Sequence, residues 1–347
     1  MPYTTINKSS DYFNTKIYTG NESAGHAITG VGFKPDFTWF KNRGATDSHS
    51  MYDIVRGVTK QIEADTNGGE TTESTGLASF DTDGFTVGTR TASNSNNMSI
   101  CSWNWLAGGS QGSANNDGSI NTTYTSANTT AGISIIKYNG NGSNGATIGH
   151  GLGVAPTFVM IKRTDTSSNW IVATHANAFG FGRFTYLNTA DATQTNSGPF
   201  NDTAPSSSVI TLGTWNDVNN SSGTYICYAF AEKKGFSKFG SYHAYTANTP
   251  FVYTGFKPAF TLIRGQSTTN WNMYDNRRFG INGKDAPLFA DLNNAESSDY
   301  DRIDYLCNGF KINTTNVQLC NNNTPHFYMA FAEAPLVGSN NIAATAR

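Results

Sequence analysis

One stretch of this sequence occurs three times, and the repetition constrains the fold more than any other feature. It reads Gly32-Phe33-Lys34-Pro35-Asp36-Phe37-Thr38-Trp39-Phe40-Lys41, then Leu152-Gly153-Val154-Ala155-Pro156-Thr157-Phe158-Val159-Met160-Ile161-Lys162, then Gly255-Phe256-Lys257-Pro258-Ala259-Phe260-Thr261-Leu262-Ile263-Arg264. In each copy phenylalanine follows the proline by two residues, a short apolar run comes next, and a base stands six residues after the proline: Lys41, Lys162 and Arg264. A proline-led turn before an apolar run rich in aromatic and branched residues reads as a turn feeding a buried strand. Alternation puts Phe37 and Trp39 on one face and Thr38 and Phe40 on the other, and the copies put Val159 with Ile161 and Thr261 with Ile263 on that second face. Neither face is reliably polar, so the strand is expected to be central and covered on both sides. The bases recur too regularly for a ligand site and are read as strand-end groups that keep each module upright.

Longer units surround the three copies. Opening strands are expected at Lys16-Ile17-Tyr18-Thr19-Gly20, at Ile133-Ser134-Ile135-Ile136-Lys137-Tyr138-Asn139-Gly140 and at Gly240-Ser241-Tyr242-His243-Ala244-Tyr245. Closing strands are expected at residues 98–105, 224–232 and 326–333, the last two sharing Ala-Phe-Ala-Glu. Pro156 to Glu232 is 76 positions and Pro258 to Glu333 is 75, an agreement that indicates duplicated domains of about 100 residues, far above the solenoid range. The expected division is a lead-in at 1–13, modules at 14–109, 131–236 and 237–336, a Gly/Ser/Asn/Thr-rich linker or long loop at 110–130, and a tail at 337–347. Short strands punctuated by Gly, Asn and Asp predict an all-β chain of three tandem antiparallel β-sandwich modules, jelly-roll and lectin-like, standing in a row. Only residues 59–65 and 293–298 suggest a short turn of helix.

Composition narrows the function classes. The chain has 347 residues, a net charge of −2 and no basic cluster, so the electrostatic footprint of a nucleic-acid binder is missing. No apolar run reaches the roughly 18 residues of a membrane span, and residues 1–8 lack the pattern of a signal peptide, so cytoplasmic synthesis and no membrane insertion are expected. Charged residues are only 14% while aromatics are 13%, which argues against disorder. No cofactor motif is present. The four cysteines have no zinc spacing; Cys101 and Cys227 read as buried inert thiols, whereas for Cys307 and Cys320 facing each other across one hairpin is one reading that spacing alone does not decide.

Candidate chemistry is sparse. Tyr52-Asp53 with Arg56 corresponds to Tyr274-Asp275 with Arg277 or Arg278, while the second module has Trp170-Ile171-Val172-Ala173-Thr174-His175 and no acid. A poised carboxylate is one reading. Recurrence in two modules favours the other, in which Asp53, Arg56, Asp275 and Arg278 fix strand ends. A glycosidase needs two opposed carboxylates, and no pair stands out. Asp81 with Asp83, and Asp299 with Asp301, share faces but lack the glycine-centred calcium loop, so they read as turn caps and no metal is expected. The six histidines have no i, i+4 spacing, and Gly149-His150-Gly151-Leu152-Gly153 precedes a strand, so it reads as a turn and not a phosphate cradle. Aromatics beside amides and acids suggest carbohydrate: Trp215, Asn216 and Asp217 in a turn, with Trp170 and Trp271, are the candidate ligand residues. Trp39, Trp103 and Trp105 read as core.

The arrangement resembles a family of repeat proteins of tailed bacteriophages, especially marine ones, usually described as tail-fibre-like or virion structural. The residues that carry the resemblance are Asn7-Lys8-Ser9-Ser10-Asp11-Tyr12-Phe13, Gly30-Val31-Gly32-Phe33-Lys34-Pro35-Asp36-Phe37, Asp117-Gly118-Ser119-Ile120, Ala146-Thr147-Ile148-Gly149-His150-Gly151-Leu152-Gly153, Val252-Tyr253-Thr254-Gly255-Phe256-Lys257-Pro258-Ala259-Phe260, Ala330-Phe331-Ala332-Glu333-Ala334-Pro335 and Ala344-Thr345-Ala346-Arg347. The resemblance implies a non-enzymatic virion protein on the particle surface, with tail or capsid proteins as partners, host attachment through surface glycan, and a homotrimer by analogy with phage appendages. It supplies no catalytic residues. Modules that begin almost at Met1, with no heptads, keep a capsid decoration protein as the alternative, and a polysaccharide depolymerase is the third reading.

Overall fold

In the computed structural model of the chain, which describes residues 3–175, 179–278, 282–297 and 300–337, the repeated stretch forms strands Phe37–Asn42, Phe158–Arg163 and Phe256–Gly265. Each lies in a large antiparallel sheet beside the closing strand of its own module, Ser99–Trp105, Thr224–Phe230 or Thr324–Pro335. On its other side the closing strand pairs with the opening strand, Phe13–Thr19, Ile133–Asn139 or Ser237–Ala244. A small sheet backs each large one: His26–Thr29 with Gly84–Val87 and Leu77–Asp81, Ala146–Gly149 with Val209–Leu212, and Phe251–Tyr253 with Gly309–Ile312 and Ile303–Leu306. A single turn of helix precedes every closing strand, at Thr91–Asn94, Asn216–Asn219 and Val317–Cys320. The tyrosines of the opening strands fix these turns: Tyr18, Tyr138 and Tyr242 donate to the carbonyls of Ser93, Val218 and Leu319 at 2.6, 2.7 and 2.8 Å. The chain is thus all-β, as expected.

Burial explains why the repeated strand is apolar on both faces. Every residue of Phe37–Asn42 is buried. Its outer face, with Phe40, packs under the small sheet beside Tyr18, Phe85 and Tyr52. Its inner face, with Phe37 and Trp39, joins a cluster that draws on all modules, including Trp103 and Trp105 from the first, Phe158, Met160, Trp170 and Tyr228 from the second, and Phe260, Leu262, Trp271 and Phe331 from the third. Phe37 lies 4.6 Å from the Tyr228 ring, Phe13 stacks on Phe331 at 5.0 Å, and Phe158 meets Trp271 edge-on at 6.5 Å. Side chains of this size each remove on the order of 150–250 Å² from water. The expected row of separate sandwiches is therefore replaced by a ring in which the inner faces of the three large sheets cover one another.

Polar contacts close that ring three times in the same way. Glu70 N–H donates to Thr164 O, Thr193 N–H to Gln266 O and Glu296 N–H to Arg43 O, at 2.8, 2.9 and 2.8 Å, which links first to second, second to third and third back to first. The acceptors stand eight residues after Pro35, Pro156 and Pro258. Several local expectations change. Residues 59–65 form strand Lys60–Glu63, because Gln61 and Ile62 are needed inside the sheet. Residues 293–297 form no helix. Part of the 110–130 linker is strand Tyr124–Asn128, which pairs with Ile133–Asn139 and widens the second large sheet. In the lead-in, Ile6 enters the shared core. Ser298, Asp299 and residues 338–347 of the expected tail lie outside the described residues.

A ring predicts energetic coupling between modules. Tyr228 of the second module donates to Asp53 of the first at 2.7 Å, both fully buried. In a double-mutant cycle by denaturant unfolding, Tyr228→Phe and Asp53→Asn should show a coupling of about 1–3 kcal/mol, and modules that fold independently would show none.

Candidate functional site

The two acid–base pairs expected at strand ends sit there. Asp53 and Asp275 each accept two backbone amides of the following turn, from Val55 and Arg56 at 3.0 and 2.8 Å and from Arg277 and Arg278 at 2.9 and 3.0 Å. Arg56 Nε and Arg278 Nε then donate to the second carboxylate oxygen at 2.5 Å. The guanidinium groups run on to backbone carbonyls, Met51 and Lys60 in one case, Met273 and Ala286 in the other. Each carboxylate also accepts a hydrogen bond from a neighbouring module, Asp53 from Tyr228 and Asp275 from Trp103 Nε1 at 3.1 Å. Tyr228, Trp103 and Met329 occupy one position of the repeat, each opposite the residue four after the proline. The second module carries Thr174 in place of the acid, and the third carries Met329 in place of the donor. The donor is missing where the acid is missing. A cavity of about 30 Å³ beside Asp275 and Arg278 has room for one water and none for a sugar ring.

The strand-end bases hold one module to the next. Lys41 Nζ donates to the carbonyls of Asn42, Ala45 and Asp47 and, at 3.1 Å, to Asn293 of the third module. Lys162 reaches Asn67 of the first at 3.3 Å, and Arg264 donates to Tyr186, Thr189 and Asp191 of the second. All three are buried. Their role is corrected from keeping a module upright to sealing the joints.

Of the tryptophans offered for carbohydrate, Trp170 and Trp271 are fully buried, and each Nε1 donates across a joint, to Glu63 O at 2.8 Å and to Tyr186 O at 2.7 Å. A ring enclosed in this way has no face for a sugar. His49 takes the same place in the first module: Trp39 Nε1 donates to its Nδ1 at 2.8 Å, and the carbonyls of Phe289 and Leu292 face its ring, although Nε2 makes no hydrogen bond of good geometry. Trp215 is half-buried, edge-on to Phe184 at 5.0 Å and against Gly198. Asp217 takes Ser168 Oγ and, at 3.2 Å, Asn169 N–H, and the side-chain oxygen of exposed Asn216 takes Asn220 Nδ2 at 2.8 Å. These three stay adjacent, but their polar atoms are engaged in shaping the loop. Among the turn carboxylates, Asp81 accepts from Ser79 and Thr86, and Asp83 from the amides of Gly30 and Gly32. Cys307 and Cys320 are free thiols, one exposed and one buried.

The surface feature that departs from the repeat lies on the small sheet of the third module. Strand Phe251–Tyr253 turns Val252 inward onto Phe310 and leaves Phe251 and Tyr253 outward, 47% and 56% exposed. The equivalent pairs are Ala27 and Thr29 in the first module and Thr147 and Gly149 in the second, since Ile28 and Ile148 match Val252. Gly309, opposite Tyr253, is needed: a Cβ there would lie 2.1 Å from Val252 O and 3.0 Å from the Phe251 ring. Tyr3 extends the face. Its hydroxyl donates to Gly255 O at 3.1 Å, burial followed by the nearby Tyr253 raises its pKa, and Lys234 Nζ sits 4.3 Å over its ring. Lys311 flanks Phe251 across the strand pair, and Lys257 pairs with Glu333 at 2.7 Å. Neighbouring rings rimmed by ammonium and carboxylate groups can stack on apolar faces and hold hydroxyls. The sequence reading missed this face, although a column-by-column comparison of the three copies carries the signal.

Residues 8–335 match the model of a family described as Domain of unknown function (DUF7483). No curated protein and no solved structure matches the chain.

Buried ionisable groups set the pH response. Burial pushes Asp36 up to about 6 despite the Gly109 amide at 2.7 Å, and pushes Asp291 up to about 6. Burial lowers Lys41 and Lys162 to about 8 and His326 to about 4. For Asp36 the folded pKa lies above the unfolded one, so the folded state binds more protons between them and gains stability as pH falls. Wild type should therefore gain on Asp36→Asn by up to about 3 kcal/mol between pH 7.5 and pH 4, read from paired urea titrations; a flat difference would show that this carboxyl is not held up.

Proposed function

The chain belongs to the DUF7483 family, and from that premise we propose that it is a structural protein of a tailed-phage virion, displayed on the particle and used in host attachment through surface glycan. The observation that carries this reading is the exposed ring pair Phe251 and Tyr253, present on one module and replaced by small residues on the other two. A ring face left in water for no packing gain is a stacking platform for sugar C–H groups, and Lys234, Lys311 and Tyr3 supply polar partners. Trp215, Asn216 and Asp217 fall to a structural role in this reading.

The finer fold assignment belongs with the proposal. Opening, closing and repeated strands lie side by side in one sheet while two return strands pair in the other, and this supports a lectin-like jelly-roll variant for each module. Asp53 and Asp275 are buried in ion pairs, which supports a non-enzymatic protein over a depolymerase. Tail or capsid proteins are the partners this reading calls for, with a homotrimer by analogy to phage appendages.

The test is direct binding to host surface polysaccharide by calorimetry. Phe251→Ala with Tyr253→Thr, the residues of the first module, should weaken binding about tenfold or more while leaving the unfolding midpoint unchanged. Equal affinity would remove the aromatic face from the proposal. Antibody label confined to the capsid shell would replace attachment with decoration.

A further inference from the structure

Among the described residues, the second large sheet has an edge strand that the other two lack. Tyr124–Asn128 covers the outer edge of opening strand Ile133–Asn139, with Tyr124 opposite Lys137, Thr125 opposite Ile136 and Ser126 opposite Ile135. The equivalent edge in the first module is Phe13–Thr19, which pairs only with Ser99–Trp105 among the described residues. Its even-numbered residues face that partner, as Leu106 N–H to Tyr12 O and Gly20 N–H to Met98 O show. The backbone groups of Thr15 and Ile17 therefore point away from the sheet, as those of Ile135 and Lys137 do where they meet the added strand.

A cleft of about 290 Å³ runs along this edge, lined by Asn14, Thr15, Lys16, Ile17, Gly30 and Arg277. Thr15 is 6% exposed, and its Oγ1 has no hydrogen-bond partner among the described residues. Arg277 reaches over the inner side from the third module, and its guanidinium has no partner among the described residues while its backbone is held by Asp275. At the equivalent place beside the covered edge stands Val55, buried, with Gln111 of the linker on its carbonyl. Lys16 borders the outer side, with Asp83 as its nearby anion. The open edge thus carries Lys16 and Arg277 at the places where the covered edge has the buried Ile136 and Val55.

We propose that Phe13–Thr19 is an acceptor edge that takes an extended acidic segment of a partner protein as an added antiparallel strand, in the place that Tyr124–Asn128 fills in the second module. Main-chain hydrogen bonds from Thr15 and Ile17 supply the attachment, and carboxylates of the segment meet Lys16 on one face and Arg277 on the other. This surface lies apart from the aromatic face and does not depend on it.

The probe is a synthetic peptide with the sequence of residues 122–130 carrying Thr125→Glu and Ser126→Glu, which places one carboxylate on each face of the added strand. By fluorescence anisotropy at low salt it should bind about fivefold tighter than the unsubstituted peptide. N-methylation of residue 126 should weaken it about tenfold, and binding should slow hydrogen exchange at Thr15 and Ile17. Lys16→Ala with Arg277→Ala should abolish the acidic preference while leaving the neutral peptide unaffected. No binding at about 1 mM, equal binding of the methylated peptide, or a preference that survives in the double variant would each overturn the proposal.

Discussion

Each large sheet is apolar on both faces, and a small sheet covers only one of them. The remainder of the architecture follows from that imbalance. A row of modules would bury the inner faces in the middle and leave those at its ends in water, as solenoids do unless they are capped. Three equivalent sheets turned toward a common axis leave no end face. Trp103, Trp105, Met160, Phe230, Phe260 and Phe331 then bury one another, so no module covers its inner face alone. The same closure explains why Phe37–Asn42 is buried at every position, a pattern expected of strands with layers on both sides.

Closure brings polar backbone into dry joints, and the sequence provides for it at fixed positions of the repeat. Lys41, Lys162 and Arg264 each end a central strand and spend their donors on carbonyls of an adjacent module. Leaving those carbonyls bare would cost about 1–3 kcal/mol apiece. The same account covers Trp170 and Trp271, whose indole N–H groups satisfy Glu63 O and Tyr186 O. Asp53 and Asp275 are tolerated inside because each has an arginine, two amides and a donor from across a joint. Where that donor position became Met329, the acid position is Thr174, and Phe179 packs on Phe327 in the same region at 4.5 Å. Removing one partner of a buried pair is costly, so the two positions change together.

Strand periodicity and duplication were legible in the sequence because they are local or nearly so. The central strand, the opening and closing strands and the buried state of Trp39, Trp103 and Trp105 follow from alternation and from matching copies. The ring was not legible, because an apolar inner face looks alike whether it meets its own module or the next. That ambiguity also misplaced Trp170 and Trp271: an indole flanked by Asn fits a sugar platform as well as a joint, and only the position of Glu63 and Tyr186 decides. Residues 59–65 read as a short turn of helix, and tertiary burial of Gln61 and Ile62 makes them strand instead. Phe251 and Tyr253 are visible as residues but not as exceptions, because the repeat is strong over the central strand and weak over the strand before it.

The repeat constrains interior and surface differently. Interior positions answer to a joint on each side, so a change in one module demands a change in its neighbour, as Thr174 and Met329 illustrate. Surface positions answer to nothing within the chain and drift apart unless a ligand holds them. An exposed Phe251 and Tyr253 carry a solubility cost that Ala27 and Thr29 avoid, and a strand edge that pairs with nothing further among the described residues, flanked by Arg277, carries an association hazard that Tyr124–Asn128 removes in the second module. Both exceptions involve the third module, one on its outer sheet and one where it overhangs the first. Three near-equal modules thus supply a rigid frame, and the places where the threefold pattern fails are where the frame can point in one direction.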